Sequence, residues 1–177
     1  MDIHSLTDDC CPSIPKGYRT VMRIIEACDT SDPWPEPPAY DPQNPGDEKV
    51  ITGDIVVNQG GFWKEVPIKV NSGSLASTSE GEVGSRGFVN RFTFTIPGST
   101  KERLSFADRA QNGCWIVQVR EKNGAWRLLG RIDDPAFIES LELTNGSDAN
   151  EGVYVVYDMI GKTAPIYEGD TPLTPVP

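Results

Sequence analysis

The sequence predicts a mainly β protein, an antiparallel β-sandwich or barrel with one short flanking α-helix. Two observations carry that prediction. Apolar and polar residues alternate in several segments between residues 18 and 167, as they do in half-buried strands. Glycine and proline together number 32 of the 177 residues, about 18% against a usual share near 12%. Such a content of turn residues argues against a helical bundle.

We expect one domain with a tail at each end. The length of 177 residues lies near the modal size of a domain. Hydrophobic residues make up 37% of the chain, below the usual share of about 45–50%, so part of the chain must lie outside the core. The predicted organisation is an N-terminal arm over residues 1–17, a single β domain over residues 18–167 and a C-terminal tail over residues 168–177.

Composition and spacing argue against several classes of protein. No run of 18 apolar residues exists, so no membrane-spanning helix is expected, and the first 20 residues do not have the pattern of a secretory signal. The single histidine, His4, argues against Ser–His–Asp catalysis and against histidine-ligated zinc. The cysteines (Cys10, Cys11, Cys28 and Cys114) lack metal-binding spacing and are expected to be free thiols. The net charge of −10 argues against tight wrapping around nucleic acid.

Residues 18–28 are predicted to form the first strand. Apolar side chains occur at both odd and even positions of this segment, which is typical of a strand that is packed on two sides.

Residues 29–48 are predicted to form an extended acidic loop or insertion. The segment contains six prolines, which cannot donate ladder hydrogen bonds, and six acidic residues with no lysine or arginine. A solvated linker would explain this composition, but loops of this length in compact domains are usually either functional or disordered. Trp34 and Tyr40 favour a function, because disordered linkers contain few aromatic residues. We expect these two side chains to anchor the loop on a neighbouring surface.

From residue 50 onward the sequence predicts one strand after another. These strands are residues 50–58, 65–70, 87–96, 114–120, 125–130, 136–143 and 153–160, with a Gly/Ser-rich turn region from 71 to 85 and a final edge at 165–167. The dipeptide Asn123-Gly124 predicts a hairpin with a type I′ turn, in which both central residues have a positive φ.

The strand at 87–96 shows the clearest alternation in the chain. Its even-numbered face carries Phe88, Asn90, Phe92, Phe94 and Ile96, and we expect this face to be buried. The opposite face carries arginine and threonine, and we expect it to meet water or a partner.

One helix is predicted after this strand. Ser99 and Glu102 fit a capping box, in which each side chain bonds a free backbone amide of the first turn. Gly113 is placed to end the helix in a left-handed conformation. The buried side of the helix is expected to consist of Leu104, Phe106, Ala107 and Ala110.

Charge is distributed unevenly along the chain. Residues 86–131 contain nine basic and three acidic residues, whereas residues 133–170 contain nine acidic residues and one lysine. Such charges keep a β domain soluble. They also fit a self-complementary contact between the basic face of one subunit and the acidic face of the next, which generates a ring when the rotation closes. Arg91 and Arg127 are the candidate interface residues of the basic segment.

No enzymatic site is apparent in the sequence. Asp133 and Asp134 precede Pro135 and predict a turn, since adjacent strand residues point to opposite faces. The segment from Asp148 to Glu151 lacks the spacing of a calcium loop, and the glycine-rich segment 81–87 precedes a strand rather than a helix, so it is no phosphate loop. We expect no catalytic residue, no cofactor and no bound metal.

An ordered series of segments between Val66 and Gly169 resembles a family of tail-associated structural proteins of bacteriophages, especially phages of gut Bacteroidetes. The order and spacing of the segments carry the resemblance, rather than any single motif. In chain order the segments are LASTSEGEVGSRG, FTFTIPGSTKE, CWIVQVREKNG, Trp126 to Gly130, DDPAF, a strand pair around TNG and NEG, and PIYEG. The early segment PSIPKGYRTVMRII also resembles that family's first strand, and the resemblance covers about two thirds of the chain.

The resemblance implies a fold of tail-tube type, with two packed antiparallel sheets flanked by a helix, and subunits that stack as rings around a channel. It implies a non-enzymatic virion protein of the tail or neck that is assembled in the host cytoplasm. Its partners would be copies of itself, in a ring of about six or twelve, adjacent tail or neck proteins, and DNA that passes transiently and non-specifically, with no membrane contact. The loop at 29–48 is longer than the family's usual loop, which leaves tube, neck ring, terminator and baseplate open.

A carbohydrate- or receptor-binding β-sandwich module is the alternative function, and a hydrolase on a β scaffold is a third. In a binding module, exposed Trp63, Trp115 and Trp126 would form a stacking platform, although the alternating pattern favours Trp115 and Trp126 as core residues. In a ring protein, the arm 1–17 and the loop 29–48 are the candidates for contacts between subunits or rings. Trp34 and Tyr40 would be their anchors, because interface energy concentrates in aromatic side chains.

Overall fold

Two antiparallel sheets of unequal size face each other and bury the main core between them. The computed structural model describes residues 18–146 and 150–177, and 45% of the residues form strands. The strands are β1 (Tyr18–Glu26), β2 (Thr30–Ser31), β3 (Val50–Ile51), β4 (Val56–Val57), β5 (Lys64–Pro67), β6 (Ser74–Glu80), β7 (Gly87–Pro97), β8 (Trp115–Glu121), β9 (Trp126–Leu129), β10 (Phe137–Asn145), β11 (Asn150–Gly161) and β12 (Ile166–Tyr167), and the helix is α1 (Lys101–Ala110).

The larger sheet has six strands in the order β3-β12-β9-β8-β1-β5, and the smaller sheet has four in the order β10-β11-β7-β6. Neighbouring strands are antiparallel, except that β12 and β3 run parallel. A separate two-stranded ribbon is formed by β2 and β4. The expected mainly β class with one helix is confirmed for the described residues. The sequence predicted either a sandwich or a barrel. Neither sheet closes on itself, so the structure is not a barrel.

The first core lies between the two sheets. From the four-stranded sheet, the ring of Phe94 stacks on Phe92 and on Tyr154, with ring centroids 5.4 Å and 5.1 Å apart. From the six-stranded sheet, Met22 and Val117 enter the same cluster. These side chains are fully buried, so this cluster supplies much of the apolar burial that stabilises the fold.

The six-stranded sheet is buried on its second face as well. Ile24 of β1 belongs to the first core, whereas the next residue, Ile25, belongs to a second cluster on the opposite side. This confirms the expectation of a strand that is packed on two sides. Trp63, Leu128 and Tyr167 are further members of the second cluster, which is covered largely by chain without long strands.

The C-terminal tail takes part in that cover. The backbone N–H of Trp63 donates to the carbonyl of Pro172 at 2.9 Å, and the N–H of Gly60 donates to the carbonyl of Val176 at 2.8 Å. The tail predicted at 168–177 is therefore hydrogen-bonded onto the domain.

A buried polar network joins the two sheets. Asp158 of β11 is 1% exposed, and its carboxylate accepts hydrogen bonds from the backbone N–H of Gly130 at 3.1 Å and of Ile160 at 2.8 Å. Asn90 of β7, also buried, donates to the carbonyl of Lys162 at 2.9 Å. Burial raises the pKa of the Asp158 carboxyl group, and the hydrogen bonds to it oppose that effect only in part.

The helix differs from the expectation at its N-terminus and along its buried side. The residue that precedes the first turn is Thr100, whose side chain makes no capping hydrogen bond to a backbone amide, so the capping box predicted for Ser99 does not form. Ala107 and Ala110 are buried as expected, but Leu104 is 41% exposed because this position of the helix lies outside the contact with the core.

The C-terminus of the helix also differs. The C-cap is Gln111 in a right-handed conformation, and Gly113 does not have a positive φ. Gly113 instead lies against the indole ring of Trp115, where a Cβ atom would come within about 2.4 Å of ring atoms. Its small size, rather than its conformational freedom, is what this position requires.

One predicted turn region and one predicted strand are wrong. The segment 71–85 is not all turn, because β6 pairs with β7 over seven residues. The segment 50–58 is not one strand, since the chain bends between β3 and β4. At the bend Gly53 packs closely on Pro35, and the N–H of Ile55 donates to the hydroxyl of Tyr167 at 3.0 Å instead of to a strand.

Three smaller details also differ from the expectation. Phe88 is exposed, because it lies beyond a register shift at the start of β7. The hairpin at Asn123-Gly124 is confirmed, but only Gly124 has a positive φ, so the turn is not of type I′. The strand predicted as a final edge, β12, lies inside the sheet between β9 and β3.

No helix in the described ranges has the length and apolar character that crossing a membrane requires.

Replacing the central ring of the first core tests its contribution to stability. We expect Phe94→Ala to lower the free energy of unfolding by about 3–5 kcal/mol, because it removes two ring contacts and leaves a cavity. Urea unfolding measures the change. The control is Phe137→Ala, whose ring is 45% exposed and whose loss is expected to cost about 1 kcal/mol or less. Equal effects of the two variants would show that this stack is not central to the fold.

The buried Asp158 carboxyl predicts a pH dependence of stability. Its folded-state pKa is raised, so the folded state holds the proton more tightly than the unfolded chain does. The contribution of the protonated Asp158 carboxyl group to the free energy of unfolding is fully present below the unfolded-state pKa. It is lost as pH rises through the folded-state pKa. The free energy of unfolding of the wild type, minus that of Asp158→Asn, should therefore fall over this pH range and then become constant. A difference that rises with pH would contradict the expectation.

Candidate assembly surfaces

The four residues that the sequence nominates for an interface do not form one cluster. Trp34 lies over the second face of the six-stranded sheet, whereas Arg91 lies on the outer face of the four-stranded sheet, so both sheets separate them. Tyr40 is 65% exposed in the acidic loop, and Arg127 lies on β9.

The outer face of the four-stranded sheet is predominantly acidic. Strand register places Glu80, Glu142 and Glu151 on this face, and Glu139 reaches it beside a register shift in β10. The face has two cationic partners. Arg91 pairs with glutamates of both edge strands, and Lys69, which follows β5, pairs with Glu151.

Arg91 connects all four strands of this sheet. Its Nε donates to the carboxylate of Glu139 at 3.0 Å, and its Nη1 donates to Glu80 at 2.9 Å. Its guanidinium carbon also lies 5.0 Å from the ring centroid of Tyr157 on β11. The hydrogen bonds that Arg91 donates to Glu80 and Glu139 raise its pKa above the ordinary value. The guanidinium charge is therefore compensated within the chain.

The four-stranded sheet ends in two open edges. The β6 edge is seven residues long, contains no proline and pairs regularly with β7, and Glu80 is its one charged residue. The β10 edge is nine residues long, with two glutamates and one register shift. The edges of the larger sheet are shorter, with two residues in β3 and four in β5. A long edge with free backbone groups is a template for pairing with another strand.

The acidic loop is anchored on its own domain. Trp34 is half-buried and packs against the second cluster, and the carboxylate of Glu36 accepts a hydrogen bond from Nη2 of Arg131 at 2.7 Å. The surface that Trp34 anchors to in this structure is therefore its own sheet. Tyr40 is exposed and stays a candidate anchor for a neighbouring subunit.

Arg127 is also held within the chain. Its Nε donates to the carboxylate of Glu121 at 2.7 Å, and its Nη1 donates to the carbonyl of Ala164 at 2.9 Å. These bonds tie β9 to β8 and to the segment before β12. The side chain is still 31% exposed, so its role at an interface stays a prediction.

The tryptophans do not form the stacking platform that the alternative function requires. Trp63 and Trp115 are buried. Trp126 is half-buried, and its ring lies 4.3 Å from the guanidinium carbon of Arg23 and 5.4 Å from that of Arg120. The expectation that Trp115 is a core residue is confirmed, and Trp126 is only partly a core residue.

The cysteines and the acidic side chains of the described residues do not cluster into a metal-binding group. Cys28 and Cys114 are free thiols as expected, and residues 18–146 and 150–177 contain no group of three His, Cys, Asp or Glu side chains arranged to hold a metal ion. Residues 132–134 form a bend between β9 and β10, in agreement with the predicted change of chain direction at Asp133 and Asp134. The arm 1–17, with its histidine and two cysteines, and Asp148 lie outside the described residues.

Comparison with known proteins found no relative of this chain. No protein-family model matches the chain, and no match was found among curated proteins or among solved structures. The surfaces of this structure and the resemblance of its sequence to tail-associated phage proteins are what bear on its function.

Sequence reasoning missed the partners of the nominated residues. Glu80 was assigned to a turn region, because the strand around it has serine and threonine on both faces and shows no apolar period. Glu139 and Arg91 are 48 positions apart, and Glu36 and Arg131 are 95 apart. The glycines at 81–87 were the signal that could have predicted a hairpin of β6 and β7. Such a hairpin would have placed Glu80 in the same sheet as Arg91.

The ion-pair network of the outer face predicts a salt-dependent stability. Arg91→Gln leaves Glu80 and Glu139 on one face without the cation between them, and we expect a small loss in the free energy of unfolding at low salt. The loss should shrink in 1 M NaCl, because salt screens exposed charges. Arg86→Gln, at an exposed position just before β7, is the control. Equal effects of the two variants at low salt would contradict the prediction.

Proposed function

We propose that this chain is a non-enzymatic structural protein of a phage virion. It forms a homo-oligomeric ring of the tail tube or the head–tail neck and surrounds the channel through which DNA passes. The observation that carries the proposal is the four-stranded sheet, which has two long open edges and an outer face on which carboxylates outnumber the cations.

The open edges supply a mode of assembly. If β6 of one copy pairs with β10 of the next, the contact joins two different surfaces, and such a contact closes into a ring. Each copy then adds four strands to a continuous sheet. Six copies give about 24 strands spaced about 4.8 Å apart, hence a diameter of at least about 37 Å, which strand tilt increases. Such a channel is wider than a DNA duplex.

The charge of the outer face suits a channel wall. Glu80, Glu139 and Glu142 face outward, and the guanidinium group of Arg91 is held between two of them. Carboxylates repel DNA phosphates, so DNA would pass without being retained. At an ionic strength of 0.15 M the screening length is about 8 Å, and only charges on the wall itself act on the passing DNA.

The resemblance of the sequence to tail-associated phage proteins supports the same proposal from a separate direction. The tail-tube type of this sandwich, the virion as its location and adjacent tail or neck proteins as its partners follow from that resemblance and form part of the proposal. The surface of the protein does not favour a glycan-binding module, because Trp63 and Trp115 are buried.

Light scattering during size-exclusion chromatography tests the proposal. We expect the wild type to form particles of about six or twelve copies, or tubes that lengthen with concentration. Thr78→Lys places a charge on the exposed β6 edge and should weaken assembly, because edge lysines oppose strand pairing. Thr95→Lys, on the same face of an interior strand, is the matched control and should assemble more readily than Thr78→Lys.

Hydrogen exchange supplies a second measurement of the same contact. Backbone amides of β6 and β10 should exchange more slowly in the particle than in the dissociated protein. A wild type that stays monomeric at millimolar concentration would sink the proposal, and so would a particle in which both edges exchange freely.

A further inference from the structure

A small cleft lies where the acidic loop crosses the larger sheet. Its volume is about 60 Å³, and apolar atoms of Trp34, Ile51 and Leu128 contribute to its lining. A volume of this size holds about two water molecules, so it suits the tip of one polar side chain rather than a whole ligand. The cationic residues that line it are Lys49, Arg131 and Lys162.

These cations are incompletely paired within the chain. Lys49 and Lys162 are exposed, and neither forms an ion pair with a carboxylate of the described ranges. Arg131 pairs through Nη2 with Glu36 and with Asp133, while its Nε is buried without a hydrogen-bond partner. A buried donor without an acceptor costs free energy, so a carboxylate that entered the cleft would be stabilised.

The other carboxylate of the cleft does not pair with the two lysines. Glu48 also lines the cleft, but its Oε2 accepts a hydrogen bond from the backbone N–H of Gly46 at 2.8 Å. Arg131 is compensated by Glu36 and Asp133, so the cations of the cleft that have no ion-pair partner among the described residues are Lys49 and Lys162, and these two can take an additional anion.

The tip of the same loop presents a carboxylate that is held by two local hydrogen bonds. Asp41 accepts hydrogen bonds from the backbone N–H of Gln43 and from Nδ2 of Asn44, both at 2.9 Å. The hydrogen bond from the Gln43 amide is the main cause that holds the pKa of Asp41 below its ordinary value, so this carboxylate is charged. The adjacent Tyr40 is the most exposed aromatic side chain of the described residues. A preformed tip of this kind loses little conformational entropy on docking.

We infer that the Tyr40–Asp41 tip of one copy docks at the cleft of a second copy. The Asp41 carboxylate would face Lys49 and Lys162, and the Tyr40 ring would rest on the apolar mouth of the cleft beside Trp34. The tip does not fill its own cleft, because none of residues 38–46 lines it, and Trp34 and Glu36 fix the base of the loop in its wall. This inference rests on the proposed ring and assigns one of its contacts.

Charge complementarity favours a second copy of this chain as the partner that docks at the cleft. The segment 29–48 contains six acidic residues and no basic one, and its tip joins an aromatic ring to a carboxylate, which matches an apolar cleft with a cationic rim. Because tip and cleft are different surfaces of one chain, the contact is heterologous, and every copy can both donate a tip and receive one.

A charge exchange between tip and cleft tests the inference on the full chain. In a dilution series followed by light scattering, Asp41→Lys and Lys162→Glu should each raise the concentration needed for assembly by about tenfold or more. An equimolar mixture of the two variants should restore assembly, because each lysine tip then meets a glutamate cleft and each aspartate tip meets a lysine cleft.

Matched variants control for folding and for net charge. Lys101→Glu makes the same charge reversal on α1, where the side chain is 92% exposed, and should leave assembly unchanged. Asp41→Asn keeps the acceptor for the Gln43 amide and removes the charge, so it should weaken assembly while circular dichroism stays unchanged.

The outcomes separate this inference from the proposed function. Normal assembly of both charge variants, or a mixture that fails to recover, overturns the docking and leaves the ring intact. A wild type that never assembles overturns both. If Lys162→Glu assembles normally but loses binding of inorganic phosphate in calorimetry, the cleft is a small-anion site and the docking of a loop tip is rejected.

Discussion

Two-sided burial of the six-stranded sheet is the constraint on which the rest of the structure depends. Ile24 and Ile25 are neighbours on β1 and enter different cores, so this sheet needs a cover on each face. The four-stranded sheet and α1 cover one face. The other is covered by irregular chain, in which the backbone of Trp63 and the hydroxyl of Tyr167 hold the tail and the bend after β3 in position. The proline-rich tail is therefore part of the fold.

The four-stranded sheet differs in having only one covered face. Phe92 and Phe94 face the core, while threonines, glutamates and Arg91 face outward. Because Arg91 is compensated by Glu80 and Glu139, this face is acidic instead of being a cationic binding surface. Its two edges are the longest regular backbone without a partner strand among the described residues. Burial of the larger sheet thus leaves the smaller sheet as the surface at which another copy can add.

Local patterns predicted an element correctly where one face meets the core and the other meets water. The alternation of β7 therefore identified Phe92, Phe94 and Ile96 as buried. The same reasoning failed for β6, because its serines and threonines lie on an exposed edge and carry no apolar period. It also failed for residues 50–58, where Ile51 and Ile55 reach one cluster through a bend and not by alternation along a strand. Trp34 and Tyr40 were recognised as unusual residues of the loop, but composition could not say which of them would be buried.

The mainly β class, the two-sided packing of β1 and the position of the helix could be predicted from the sequence, because each depends on the order of apolar and polar residues within one segment. Only the tertiary structure decided that Trp34 packs on its own sheet, that Arg91 meets Glu139 across 48 positions of the chain, and that Lys49, Arg131 and Lys162 surround one cleft. The physical reason is that these contacts join side chains from distant segments. Their proximity depends on strand order and on the path of irregular chain, and no local pattern encodes either.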